Sequence, residues 1–453
     1  MKIENDVRNL AQRIVDRTMR GIAVEMAALI RSGVVPVGSK LPAVRDFAEA
    51  LGVSPATVSG AWKQLRSHRM VTGDRRSGVW VQGDQTSLRP LRFEGRGDFG
   101  GNLLADLRFA VPDPDLLPDL ARALAVGAKV PDLNSYRRVP ITSGLREAAS
   151  ATWPYEASAF IATNGGYDAL YLALNACAVP GAYVAVEDPS TVRILDILDK
   201  LGARAIAVSC DENGPLPEAL AAALQRKPIA FVFESGTHAV TGVRVSRQRL
   251  NELAELLKET ETIVVEDDGL GDLAEGRSES LGGTFPERTI HIRSYSKSLG
   301  PDLRVAVMSG PDKLVDQIQS YRNFREGWTS RVLQSAVAWM LGDKSTMAQV
   351  ATARQIYRER RALLSNALSE RGIPERSGSG LSIWLPVPSE QNALVTLAAR
   401  GIAVTPGGPT QIVQRPHIRI ATSRLTDNVD EVADGIFAAI RGPKSIDRSL
   451  GVY

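Results

Sequence analysis

Apolar residues recur every three to four positions over MRGIAVEMAALIRS, residues 19 to 32. This spacing puts Ile22, Met26, Leu29 and Ile30 on one face of a predicted helix that Gly33 ends. AVRDFAEAL repeats the pattern at Val44, Phe47, Ala48 and Leu51, and Gly52-Val53 closes it. Ser54 then supplies a helix cap and Pro55 the first helical position, with Val58, Trp62 and Leu65 lining one face of ATVSGAWKQLRSH. Two helices joined by a tight glycine-containing turn form a helix-turn-helix, which lays its later helix in a major groove. Next, MVTGDRRSGVWVQG alternates as strands do around a Gly-Asp-Arg-Arg-Ser-Gly centre, predicting a hairpin tipped by Arg75 and Arg76.

From about residue 106 the pattern changes. The apolar runs AFIAT, AYVAVED, ARAIAVSC, IAFVFES, TIVVEDD, TIHIRSYS and RVAVMSG alternate with amphipathic runs such as YDALYLALNACA, TVRILDILDKLG and RQRLNELAELLKET. Strands apolar on both faces and alternating with helices predict a largely parallel sheet covered by helices, hence an α/β domain. The intervening stretch has no apolar period and places four glycines within residues 95 to 101, which predicts a flexible tether. The chain of 453 residues therefore divides into a winged helix-turn-helix over 1–83, a linker over 84–105, a large domain over 106–446 and a tail over 447–453.

Composition narrows the function. No apolar run approaches the roughly 20 residues of a membrane span, and the N-terminal residues lack the apolar block of a signal peptide, so a cytoplasmic protein with no membrane partner is expected. The two cysteines, Cys177 and Cys210, have apolar or small neighbours, and no Cys/His spacing suits a metal. No metal site is expected. Residues 1 to 83 hold 13 Lys/Arg against 7 Asp/Glu, whereas the remaining 370 carry 41 against 44, so the small unit is the basic one. On its third helix, Thr57, Ser59, Gly60, Lys63 and Arg66 are left toward solvent, near Ser54. These small, hydroxylated or cationic groups suit phosphates and base edges, as do Arg75 and Arg76 at the wing.

In the large domain, SYSKSLGPDLR sets Lys297 at the carboxyl end of a predicted strand, where burial and neighbouring cations equip an amine for Schiff-base chemistry. IVVEDDGL ends another strand with Asp267, a carboxylate able to hold a protonated pyridine nitrogen. TNGGYDAL puts Gly165 and Gly166 between a strand and a helix, where free N–H groups favour a phosphate.

LPAVRDFAEALGVSPATVSGAW, residues 41 to 62, resembles the GntR family of winged helix-turn-helix regulators. The resemblance implies that Arg45, Thr57 and the wing touch double-stranded DNA. Lys297, Asp267 and the Gly-Gly turn, in this order, resemble the fold-type I aminotransferases of pyridoxal phosphate. Coupled to such a head, they look like the MocR subfamily. That likeness implies a homodimer in which Lys297 binds pyridoxal phosphate covalently and Asp267 faces its ring nitrogen. Gly165, Gly166, Tyr167, Ser294 and Arg304 would cradle the phosphate, and Tyr136 would reach the phosphate of the neighbouring subunit. Arg419 and Arg193 match positions that hold ligand carboxylates, which fits an amino-acid-like effector.

The chain departs from the pattern at three places. Gly269 and Leu270 stand where a tyrosine usually contacts the cofactor's phenolic oxygen, Thr191 replaces an aromatic residue, and Ala239-Val240 replace an Asn-Pro or aromatic-Pro pair. Losing these groups is expected to harm turnover more than binding. The expectation is a DNA-binding regulator that binds pyridoxal phosphate and senses a small amino compound with little or no turnover. The rival is an active aminotransferase carrying a DNA-binding head.

Overall fold

The computed structural model describes residues 7–31, 34–36, 38–67, 70–74, 78–81, 92, 103–276, 279–374 and 378–441. The chain forms two compact units, Met1–Glu94 and Gly95–Tyr453.

The first unit contains α1 (Val7–Gln12), α2 (Met19–Arg31), α3 (Val44–Leu51), α4 (Pro55–Ser67) and the antiparallel pair β1 (Val71–Asp74) and β2 (Gly78–Val81). The periodic residues meet in one core: Ile22, Met26, Phe47, Leu51, Val58, Trp62 and Leu65 are all buried, closed by Val71, Val79 and Val81. Gly52 ends α3 in the left-handed conformation, φ 66°, which lets the chain turn into α4. Ser54 caps α4 as expected, accepting from the Thr57 N–H at 3.2 Å. The six-residue α1 has too short an apolar pattern to predict; it is held by Leu10 and Ala11, buried against the same core.

One position on α4 has a second role: Gly60 is partly exposed, yet a Cβ there would lie 2.4 Å from the Met19 sulfur, so the glycine also makes room for the α2 side chain. The hairpin is present, whereas its tip, Arg75 to Ser77, lies outside the described residues.

The second unit is built on an eight-stranded sheet in the order β4-β11-β10-β9-β8-β5-β6-β7. Its strands are β4 (Ala159–Thr163), β5 (Tyr183–Asp188), β6 (Arg204–Asp211), β7 (Gly214–Pro215), β8 (Ala230–Phe233), β9 (Ile263–Asp268), β10 (Thr289–Ser294) and β11 (Ala306–Gly310). Every apolar run singled out above is one of these strands. Strands β10, β9, β8, β5 and β6 are parallel, while β11 runs antiparallel to both β10 and β4. Helices Gly166–Cys177 and Val192–Leu201 contribute Leu170, Leu174, Ile194 and Leu198 to one apolar layer on this sheet. A second sheet orders β12 (Ser382–Pro386), β14 (His417–Ala421), β13 (Ile402–Pro406) and β3 (Ala105–Leu107). Ala105, assigned to the tether on sequence, opens β3 and pairs with Ile402; such a short pairing is decided by a partner 297 residues away and leaves no local period.

This topology positions the site. The carboxyl ends of β4, β10, β9, β8 and β5 lie along one edge, and reversed β11 begins at that same edge, so residues just before it arrive there too.

Candidate functional site

Alternation along β9 sorts three consecutive acids. Glu266 accepts from the Leu281 N–H at 2.7 Å and bonds His291 Nδ1 at 2.8 Å; Asp268 accepts from the Gly271 N–H at 3.1 Å and from Arg293 Nε at 3.2 Å. Both are structural. Asp267 points to the opposite face. It is 6% exposed, and no donor among the described residues bonds its carboxylate. Burial, with Glu234 beside it, pushes this carboxyl well above its ordinary value, while Lys297 pulls it down.

Lys297 follows β10 by three residues and meets Asp267 across Gly269. A Cβ built on that glycine would lie 3.7 Å from Asp267 Oδ1 and 3.9 Å from Lys297 Nζ. Burial lowers the lysine's pKa, and Glu234 and Asp267 oppose the shift. An amine held in this way is available as a nucleophile.

Beside this pair lies a backbone cradle. Gly165 caps helix Gly166–Cys177 with φ 97°, a conformation that favours glycine, and its Cβ would fall 2.7 Å from Arg304 Nη2. Gly166 faces Ser294 in the same way, its Cβ 3.4 Å from the hydroxyl oxygen. Arg304, left-handed at φ 47°, donates to the Asn164 carbonyl at 2.9 Å. Free amides at a 12-residue helix start, one hydroxyl and one guanidinium make a donor set suited to a phosphate.

Tyr167 lies in the first turn of that helix under the Arg193 guanidinium, 4.3 Å from its ring centre. Arg419, 8% exposed on β14, donates to the Arg108 carbonyl at 3.3 Å, and its charge reaches both Lys297 and Tyr167. Lys297, Asp267, Gly165, Gly166, Ser294, Arg304, Tyr167, Arg193 and Arg419 thus gather at one edge. Tyr136 does not join them within one chain. It is 86% exposed and packs edge-on to Trp328, with ring centres 6.3 Å apart.

The departures have structural consequences. Leu270 is buried in the core, so no side chain follows Asp267 into the site. Thr191 begins helix Val192–Leu201 with its hydroxyl buried and unpartnered. Ala239 uses its N–H to hold Glu234 Oε2 at 2.8 Å.

The sequence reading missed a buried trio: Glu187, Glu234 and His238, whose ligand atoms lie within 4.8 Å of one another. Its signal was present in VED and FES, where a glutamate directly follows fully apolar strand residues. The trio is not built for a metal. His238 Nδ1 accepts from the Val240 and Thr241 N–H groups, both at 3.1 Å, so Nε2 carries the proton and donates to the Pro189 carbonyl at 2.9 Å. Neither nitrogen keeps a lone pair to offer.

In the first unit Arg45, Ser54 and Lys63 are exposed, and Thr57 and Ser59 are partly so. Thr57 shares a 2.8 Å hydrogen bond with the Ser54 hydroxyl. Arg66 donates to the Gly73 carbonyl at 3.4 Å, bracing the hairpin from α4.

Comparison with known proteins agrees with both units. The family model for bacterial regulatory proteins of the gntR family matches residues 18–81, and that for aminotransferase class I and II matches 107–436. The chain is similar to the vitamin B6 salvage pathway transcriptional repressor PtsJ of Salmonella typhimurium, with 31% identity over 419 residues, 91% of this chain and 96% of that one. It also resembles the pyridoxine biosynthesis transcriptional regulator PdxR of Corynebacterium glutamicum, at 25% identity over 84% of this chain and 86% of that one. Among solved structures, the Pyrococcus horikoshii kynurenine aminotransferase superposes with a TM-score of 0.67 at 21% identity, covering 76% of this chain and 91% of that one. Head, body and site together define a transcription regulator with an aminotransferase-like domain. The chain belongs to the MocR subfamily of GntR-type regulators and is related to regulators of vitamin B6 genes.

Proposed function

We propose that this regulator binds pyridoxal phosphate covalently through Lys297 and couples its occupancy, and that of a small amino compound, to the affinity of the head for DNA. The observation that carries the reading is a buried lysine and an unbonded buried carboxylate, Asp267, beside a glycine cradle closed by Arg304. When bound, pyridoxal phosphate supplies an aldehyde on an electron-withdrawing ring. Asp267 would hold the ring nitrogen, and a cation there would relieve the crowding of buried negative charge that raises its pKa. Gly165, Gly166, Ser294 and Arg304 would bind the phosphate, with Tyr167 beside them. Arg419 and Arg193 would take an effector's carboxylate in their planar forks. The protein would act in the cytoplasm as a homodimer, with Tyr136 reaching the neighbouring subunit's phosphate.

The absence of a phenol at Gly269-Leu270 and of an amide at Ala239 removes donors that turnover needs and leaves binding groups in place. Little or no transamination is therefore expected. Steady conversion of amino acids to keto acids by purified protein would favour the enzyme reading instead.

The test is the affinity of the full chain for its own upstream DNA, measured with and without pyridoxal phosphate and a panel of amino acids. A ligand acts only by differential affinity for the two states, so a change in DNA affinity is expected and identical affinities under all conditions would refute the coupling. Binding should weaken steeply with salt, and Arg45→Ala should reduce the salt slope by about 1 through loss of one phosphate contact. An unchanged slope would remove Arg45 from the DNA face.

Gly165→Ala tests the cradle. Its φ of 97° and the 2.7 Å approach to Arg304 impose strain on any side chain. Such strain is worth about 1–3 kcal/mol, so roughly 5- to 150-fold weaker binding of pyridoxal phosphate is expected in an absorbance titration if the chain shifts out of the cradle geometry to relieve it.

A further inference from the structure

Register places one more carboxylate beside Asp267. Strands β8 and β9 pair in parallel, with Phe233 opposite Glu266. Glu234, one step on, therefore lies at the register position opposite Asp267, one strand spacing of about 4.8 Å away. Its backbone N–H donates to Glu187 Oε1 at 2.8 Å, and its Oε2 accepts from the Ala239 N–H at 2.8 Å. Its other oxygen, Oε1, is fully buried and without a hydrogen-bond partner. One oxygen is thus anchored and the other is left without a partner in the buried site.

The charges that face Lys297 come from three elements: Glu234 after β8, Asp267 and Asp268 at the end of β9, and Arg419 on β14. Glu234 favours the ammonium more strongly than Asp267 does. The groups facing Glu234 are His238, Glu187 and Lys297, with Tyr167 and Asp267 also within its field. His238 has backbone partners on both nitrogens and pairs with Glu187, Nε2 to Oε1 3.4 Å, while Glu187 also accepts from the Glu234 N–H. His238 thus has a carboxylate partner of its own in Glu187, and Lys297 is the other cation in the field of Glu234.

We infer that Glu234 is the charge partner of Lys297, a positioning residue whose carboxylate holds the cation at the lysine nitrogen where the missing phenol and amide donors leave the site open. This rests on the reading of Lys297 as the cofactor lysine, and it deepens that reading. Burial and Glu187 raise Glu234 to about 7, so it supplies this charge from neutral pH upward.

The test uses the full chain without cofactor. The pH dependence of Lys297 acetylation by acetic anhydride, read by peptide mass spectrometry, gives the midpoint at which the amine loses its proton. In Glu234→Gln that midpoint should fall by about 1 unit or more, the size expected for an opposite charge at close range. In Glu187→Gln, whose carboxylate does not reach Lys297 directly, it should stay near the wild-type value. Equal midpoints in wild type and Glu234→Gln would overturn the proposal, as would equal shifts in both glutamine variants, which would mark a general disturbance of the trio. Glu234→Asp keeps the charge and should move the midpoint back toward wild type; if it behaves like the glutamine variant, charge is not what acts and the proposal falls. Unfolding cannot imitate the expected result, because an exposed lysine titrates higher, not lower. With pyridoxal phosphate added, the pH midpoint of the absorbance should shift in the same downward direction in Glu234→Gln. If wild type acquires no absorbance, the cofactor reading fails, and the acetylation midpoints still decide the pairing.

Discussion

Lys297→Ala is expected to abolish completely the absorbance that pyridoxal phosphate acquires on binding the wild-type chain. The amine lies beside Asp267, and Gly269 leaves room between them: a Cβ there would fall 3.7 Å from Asp267 Oδ1 and 3.9 Å from Lys297 Nζ. On the proposed reading, phosphate affinity would reside elsewhere, in Gly165, Gly166, Ser294 and Arg304. Pyridoxamine phosphate, which keeps the phosphate and ring nitrogen and forms no bond with lysine, should therefore still bind the variant. Difference spectroscopy reads the first ligand, and equilibrium dialysis reads the second. A band that survives in Lys297→Ala would transfer the covalent role to another lysine. Loss of both ligands would mean that the substitution has collapsed the cavity.

The second large effect lies in the head. Trp62 is 1% exposed, stacks on Phe47 with ring centres 5.5 Å apart, and donates from Nε1 to the Pro42 carbonyl at 3.4 Å. It joins α4 to α3 and to the Leu-Pro segment before α3. Truncating a buried aromatic residue of this kind costs about 3–5 kcal/mol. A small unit has a total stability on the order of 5–15 kcal/mol. Trp62→Ala should therefore lower the head's denaturation midpoint sharply and remove DNA binding, while the cofactor absorbance of the second compact unit persists. Chemical denaturation followed by far-ultraviolet circular dichroism, together with DNA titration, measures both. Retained DNA binding at unchanged stability would contradict the packing assigned to α4.

These two expectations differ in how early they were available. Trp62 was legible as a core residue because its neighbours at Val58 and Leu65 complete a helical period, a property of thirteen adjacent residues. Lys297 and Asp267 were legible because each closes an apolar strand, and strand ends in parallel sheets face ligands. Glu234 occupies an equivalent place at the end of AFVF, yet nothing local distinguishes it from a solvated turn. Its significance comes from strand order, which sets β8 beside β9 and brings Glu234 opposite Asp267. Gly60 shows the same dependence: a helical wheel puts it toward solvent, where it is partly exposed, and only the structure brings the Met19 side chain from α2 against it.

Local periodicity and turn chemistry, then, determined the helices, the strands, the two-unit organisation and the strand-end residues suited to a cofactor, since each depends on contacts within a few residues. Tertiary structure alone decided which strand ends adjoin, that β11 is reversed, and that Ala105 pairs with Ile402. It also brought the carboxylates of Glu234, Asp267 and Asp268 into the field of one lysine. Such juxtapositions follow from parallel pairing between segments separated by long crossovers, and the order in which strands pair is not written in the period of any one of them.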